Sequence, residues 1–370
     1  MSEIFDSEAV LAVAEAVRAG ERIDAAQALL LAREATLPTL GSLAHAVRLR
    51  LHPEPVVTYV VDRNVNSTNI CQCGCRFCAF FKAPGVPGGY VLSREELSEK
   101  IEQTLALGGR QILLQGGHNP EMGLVYYESL LRFIRAKYPQ IHIHAFSPPE
   151  IVYFAYMSDI SVAEVISRLR EAGLASIPGG GAEILSDRVR SLVAPAKCST
   201  AQWLDVMRQA HMQGLRTTAT MMFGHVETWE ERIGHMTALR ELQDETRGFT
   251  AFIPWGFQPD NTALGGRKCS PQEYLRVLTV SRLVLDNIPN LQASWVTMGR
   301  EIAQASLWHG ANDFGSTMIE ENVVAAAGVR FRMDEAGVRE AIAAAGFAPL
   351  RRSMDYSPFE EPVKETGPCA

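Results

Sequence analysis

Cysteine is scarce in this chain: seven among 370 residues. Basic runs are missing altogether, and 35 lysines and arginines fall short of 42 aspartates and glutamates, for a formal net charge of −7. A solvated acidic surface follows, and nucleic acid is excluded as an expected partner. No apolar run approaches the roughly 20 residues of a membrane-spanning helix. The opening stretch, MSEIFDSEAVLAVAEAVRAG, sets acids among its apolar residues and has no basic n-region, so no signal peptide is expected. The reading is a soluble, cytoplasmic protein in a compartment that keeps thiols reduced. Ser-His-Asp spacing, a P-loop and HExxH are also lacking, which leaves the common hydrolase and nucleotide-binding motifs unsupported.

What is present is an ordinary globular mixture, 47% hydrophobic and 21% charged, long enough for a full core. Residues 7 to about 50 carry apolar positions at helical spacing, with a stop at Gly20. EPVVTYVVDRNVNSTN then reads as a buried strand. From there short strand-like runs begin at about residues 111, 141, 174, 216, 249, 291 and 312, with amphipathic stretches such as SREELSEKIEQTLALGG between them. Eight strand–helix units predict an α/β fold, a (β/α)8 TIM-type barrel with an N-terminal helical extension. An open doubly wound sheet is the alternative. The expected segments are a helical extension over 1–52, the barrel over 53–348 and a peripheral tail over 349–370.

Four of the seven cysteines stand together in NSTNICQCGCRFCAFFK, just after the first strand. Cys71, Cys75 and Cys78 form C-x3-C-x2-C. A structural zinc wants a second pair of ligands, but Cys198, Cys269 and Cys369 are isolated. A disulfide is disfavoured by compartment and by the closeness of the thiols. Three thiolates on a tight loop suit a [4Fe–4S] cluster, with one iron left open for another ligand.

The spacing, with Phe77 in the aromatic place, resembles the signature of the radical SAM superfamily. Within it, the segments HAFSPPEI, SIPGGGAEILSDRVR, TTATMMFGHVET, QASWVTMG and GANDFGSTMIEENVVAAAG resemble the cyclic dehypoxanthine futalosine synthase family of the futalosine route to menaquinone. Aminofutalosine synthase and the deazaflavin synthase subunits of the F420 route share the scaffold and are the close alternatives. A plain [4Fe–4S] electron carrier is a more distant one. The resemblance implies that S-adenosylmethionine is bound at the open iron and cleaved to a 5′-deoxyadenosyl radical. The radical would abstract the ribose C4′ hydrogen of dehypoxanthine futalosine, and the carbon radical would add to the benzoate ring. A small-molecule substrate and an electron donor such as flavodoxin or ferredoxin are the implied partners.

The resemblance and strand-end positions suggest the remaining site residues. Cofactor contacts are expected from Phe77, from Gln115, Gly116 and Gly117 after the second strand, from Glu183 beside a glycine run, and from Lys197. Substrate contacts are expected from Arg63, Trp295, Glu320 and Asn322. His144 and His225 are candidate hydrogen-bonding or proton-accepting groups. Each has a purely structural alternative: a salt bridge for Arg63, core packing for His144 and Trp295, a loop pair for His225. Cys73 falls in the spacer and is read as a loop residue.

Overall fold

A computed structural model describes residues 6–359. Three helices, Glu8–Ala19, Ala25–Glu34 and Leu37–Leu51, open the fold. Their starts follow from local chemistry. Ser7 and Thr36 accept backbone N–H bonds at their N-caps, and Asp24 closes a capping box with Gln27. They plate the outside of a barrel. Arg276 donates to the carbonyls of Ala32 and Ala35, and Arg240 donates to Ile23.

The strands are β1 Val56–Val60, β2 Asp62–Asn66, β3 Gln111–Gln115, β4 His142–Ala145, β5 Ser176–Ile177, β6 Arg216–Phe223, β7 Phe249–Gly256, β8 Asn290–Leu291, β9 Asp313–Ser316 and β10 Ala348–Arg351. β2 through β8 pair in parallel in chain order, and β9 and β10 flank β1. β1 and β2 are two halves of one strand, parted only at Val61, so the ring closes through them. Asn312 N–H donates to Leu291 and Ala293 N–H to Asp313, linking β8 to β9. Thr317 and Ile319 then donate to Val60 and Asp62, linking the run after β9 to the first strand. The result is the expected eight-stave parallel barrel.

Two sequence expectations change here. The run LQASWVTMG keeps only Leu291 of β8 as a strand residue; Trp295–Met298 is a helical turn instead, so Trp295 sits above the strand end. The segment after residue 348, expected as a peripheral tail, begins in β10, which joins the sheet beside β1. β10 pairs with β1 from Val56↔Ala348 to Tyr59↔Arg351. Arg352, 3% exposed, grips Asp313 at 2.5 and 3.0 Å. Its guanidinium also lies 3.8 Å from the centre of the Tyr356 ring, so the segment folds back over its own charge. Residues 360–370 of the expected tail, Cys369 included, lie outside the described residues.

Candidate active site

The cysteine loop leaves β2 and is fixed by backbone bonds on both sides. Cys71 N–H donates to Lys82 O at 2.9 Å, Lys82 N–H to Asn69 O at 2.8 Å, and Gln72 N–H to His118 O at 3.1 Å. Gly74 takes a left-handed φ of 56°, which lets the chain double back between Cys73 and Cys75. The end of β3 passes directly beneath. A side chain at 117 would collide with the Ile70 carbonyl, and one at 116 would meet Ser67 Oγ at 2.6 Å. Gly116 N–H is held by Glu150 Oε1 at 3.0 Å and Gly117 N–H by Thr68 O at 3.0 Å. The glycine pair therefore seats the cysteine loop, and both N–H groups are already used there, a packing role that the sequence reading as a cofactor cradle did not contain. Gly117→Ala is expected to cost about 1–3 kcal/mol by overpacking. Gly123→Ala, where nothing lies within 4 Å, should stay within about 0.5 kcal/mol; urea unfolding of both variants compares them.

The four thiols differ. Burial pushes the Cys75 thiol up to about 12 and raises that of Cys78. Cys71 is drawn down to about 6, first by a hydrogen bond from Cys73, and its sulfur also accepts from His118 N–H at 3.3 Å. The Cys73 thiol shifts the other way, raised first by that same hydrogen bond to Cys71. Its sulfur lies 3.1 Å from His118 Nδ1, and that imidazole stacks on Tyr153 at 4.7 Å. Cys71, Cys75 and Cys78 are free. Among the described residues no three His, Cys, Asp or Glu side chains converge as one metal ion requires. Soft thiols grouped on one loop, yet not focused on a single point, fit a cluster that takes one cysteine per iron better than they fit a lone zinc.

Lys197 and Glu183 lie beside this loop. Lys197 Nζ is 2.9 Å from Glu183 Oε1 and 5.1 Å from the centre of the Phe77 ring. Burial works against the ammonium, but Cys75 and Glu183 outweigh it and raise its pKa. Glu183 is buried at a left-handed φ of 42°, and its Oε2 has no hydrogen-bond partner. Arg190 Nη1 lies 3.6 Å away, beyond hydrogen-bond reach, so that oxygen is left able to accept from a ligand.

Glu183 also lines a cavity of ≈ 280 Å³ inside the barrel. Gln115, His144 and Trp295 line it too, so four of the expected residues meet there. Its wall is mostly apolar, with Trp255 and Trp295 as the large surfaces. Trp295 Nε1–H donates to Ser316 O at 2.9 Å, which fixes the ring.

Four of the expected residues lie outside this cavity. Arg63 points outward from β2, and each of its nitrogens is taken: Nε by Thr104, Nη1 by Glu320 and Nη2 by Gln103. Glu320 is held by that arginine and by Lys100 at 2.7 and 2.8 Å. Asn322 donates to Glu320 and Asn66. None of the three lines the cavity. His225 lines a different one, of ≈ 530 Å³, where its Nδ1 lies 3.1 Å from Glu227 and its Nε2 3.0 Å from Met222 O. For Arg63 the strand face decides this. Side chains alternate along β2, so when Arg63 faces out, Asp62 and Asn64 face in.

Those inward neighbours went unnoticed in the sequence. Asn64 Nδ2 donates to Glu321 Oε2 at 2.8 Å, and Asn64 Oδ1 is buried without a partner. Asp62 accepts from Gln111 at 2.9 Å and from Ser316. Period-two alternation in VDRNVN was the signal that locates both. Arg352, Met354 and Tyr356 close the cavity from below, and no local pattern announces them.

A closed parallel barrel with cysteines spaced C-x3-C-x2-C on the loop after its first strand is the architecture of a radical SAM enzyme. Residues 65–239 match the model described as Radical SAM superfamily, and residues 246–365 match the one described as CofH/MqnC C-terminal region. A crystal structure of methylornithine synthase has the same fold, with a TM-score of 0.71 at 19% identity over 92% of this chain and 97% of that one. The cyclic dehypoxanthine futalosine synthase of Halalkalibacterium halodurans is 47% identical over 91% of both chains. The 5-amino-6-(D-ribitylamino)uracil–L-tyrosine 4-hydroxyphenyl transferase 1 of Methanosarcina mazei is 46% identical over 74% of this chain and 73% of its own. The chain belongs to the radical SAM superfamily, in the family of the cyclic dehypoxanthine futalosine synthases. Among the described residues no helix is long and apolar enough to cross a membrane.

Proposed function

We propose that this enzyme cyclises dehypoxanthine futalosine, with a [4Fe–4S] cluster on Cys71, Cys75 and Cys78 and S-adenosylmethionine as cofactor. The 47% identity to a cyclic dehypoxanthine futalosine synthase, over 91% of each chain, carries the reading. When bound, the cluster and S-adenosylmethionine supply a 5′-deoxyadenosyl radical; the protein positions and excludes. Lys197 and Glu183 stand between the cysteine loop and the cavity. They would hold the charged and hydroxylated parts of the cofactor, with Glu183 Oε2 accepting from a ribose hydroxyl. Asn64 Oδ1, a second unsatisfied acceptor on the cavity wall, would take a substrate hydroxyl lower in the barrel. Trp255 and Trp295 offer flat apolar surface for the benzoate ring. The rigid strands beneath keep C4′ in reach, since a misplaced radical is quenched elsewhere. An electron donor of the flavodoxin or ferredoxin kind would start the reaction.

Anaerobic reconstitution and incubation with dehypoxanthine futalosine and S-adenosylmethionine tests the reading by mass. The expected product is lighter than substrate by one hydrogen molecule and forms with 5′-deoxyadenosine. No turnover is expected of L-tyrosine with 5-amino-6-(D-ribitylamino)uracil, the pair in the name of the Methanosarcina relative. Coupling of that pair without cyclisation would sink the proposal.

A further inference from the structure

The barrel wall carries a three-membered hydrogen-bond chain that the cofactor and substrate contacts leave unused. His144 Nδ1 lies 2.6 Å from Ser176 Oγ, and His142 Nε2 lies 2.7 Å from the same oxygen. A serine hydroxyl has one proton to give and lone pairs to receive. It therefore donates to one imidazole and accepts from the other, a directional chain. Its two ends open into different spaces. His144 lines the substrate cavity, and His142 lines a second, polar cavity of ≈ 240 Å³ at the opposite, N-terminal end of the strands. Gln111, Arg352 and Met354 line both cavities and form the floor between them. The chain crosses that floor.

We propose that His144 accepts the proton lost in the cyclisation and that Ser176 and His142 carry it out through the floor of the barrel. The proposal rests on the cyclase reading. After the C4′ radical adds to the ring, rearomatisation must release a ring proton and one electron. The ring C–H bond breaks and its proton goes to His144 Nε2, while the bond's electron pair stays in the ring. The extra electron then passes to a one-electron acceptor, an oxidised iron–sulfur centre. The proton on His144 Nδ1 moves to Ser176 Oγ as the hydroxyl proton moves to His142 Nε2. His142 releases its Nδ1 proton into the lower cavity, which Asp355 also lines.

The cavity's other bases lead nowhere. Asp62 is committed to Gln111 and Ser316, and Glu321 to Asn64 and the N–H groups of Val323 and Val324. Glu183 is committed to the cations of Lys197 and Arg190, at 2.9 and 3.6 Å. Burial lowers the basicity of both histidines, so each starts neutral and able to receive. For His142 the Asp355 carboxylate opposes that burial.

The test compares the wild-type enzyme with Ser176→Ala, Ser176→Thr and His142→Gln, counting 5′-deoxyadenosine and cyclised product separately. In Ser176→Ala and His142→Gln, cyclised product should fall about ten-fold or more while deoxyadenosine persists, within the range of lost acid–base function. A ring-deuterated substrate should show a larger isotope effect on product in those variants than in the wild type. Ser176→Thr, which keeps the hydroxyl, should restore coupling. Parallel loss of both products, unchanged coupling in His142→Gln, or failure of Ser176→Thr to differ from Ser176→Ala overturns the relay. A wild-type enzyme that makes deoxyadenosine but no cyclised product overturns the cyclase reading, and the relay with it.

Discussion

Cys75→Ala loses its iron. After anaerobic reconstitution the variant should show background iron and sulfide, no brown cluster absorption and no 5′-deoxyadenosine. Activity should fall by more than the roughly 100-fold that loss of an outer partner of a metal site can cost. Cys71→Ala and Cys78→Ala should behave alike, because each thiolate would hold its own iron. Cys73→Ala is the control that makes the result specific. It falls in the spacer of the motif, its sulfur lies 3.1 Å from His118 Nδ1, and His118 rests on Tyr153. The variant should keep its cluster and most of its activity. Iron retained in Cys75→Ala and lost in Cys73→Ala would reassign the ligands. Ligand assignment stands or falls on that pair.

Arg352→Met should be among the most damaging substitutions for stability. The guanidinium meets Asp313 Oδ2 at 2.5 Å and Oδ1 at 3.0 Å, with side chains 3% and 0% exposed. Thr58 Oγ1 adds a 2.5 Å bond to the same carboxylate. Burial disfavours the Arg352 charge, yet Asp313 more than offsets it and raises its pKa. Removing the cation leaves a carboxylate buried without its partner, which costs about 3–5 kcal/mol. Replacing both partners, Arg352→Met with Asp313→Leu, should recover much of the loss, since neither charge is then stranded. Urea unfolding of the three proteins measures it. A loss below about 1 kcal/mol in Arg352→Met, smaller than typical for a buried pair, would mean that the segment after β10 leaves the barrel in solution.

The cysteine loop, the βα rhythm and the helical extension were legible because each is local. A turn of thiols, an alternation of apolar runs and a set of helix caps depend on residues near one another in the chain. Gln115, Glu183, His144 and Trp295 meet at one cavity, since they stand at or beside strand ends and those ends converge in any such barrel. Arg63, Glu320, Asn322 and His225 share that position but not the outcome. One residue of offset along β2 turns a side chain from the cavity to the outer helices, and only the register of the closed barrel fixes which face is which. Gly116 and Gly117 were visible as glycines, but their purpose depends on how closely the Ile70 backbone passes, a distance between segments far apart in sequence.

By itself, then, the sequence determined the class of chemistry: three spaced cysteines and eight βα units are encoded in short-range pattern, and no packing detail alters them. Tertiary structure alone decided which polar groups face the cavity and how the cavity ends below. Arg352 and Tyr356 reach the cavity from the far end of the chain, and Ser176 joins His142 to His144 across a strand boundary. Such contacts arise from closure of the barrel, where residues as far apart in sequence as Asp62 and Ser316 come within a hydrogen bond.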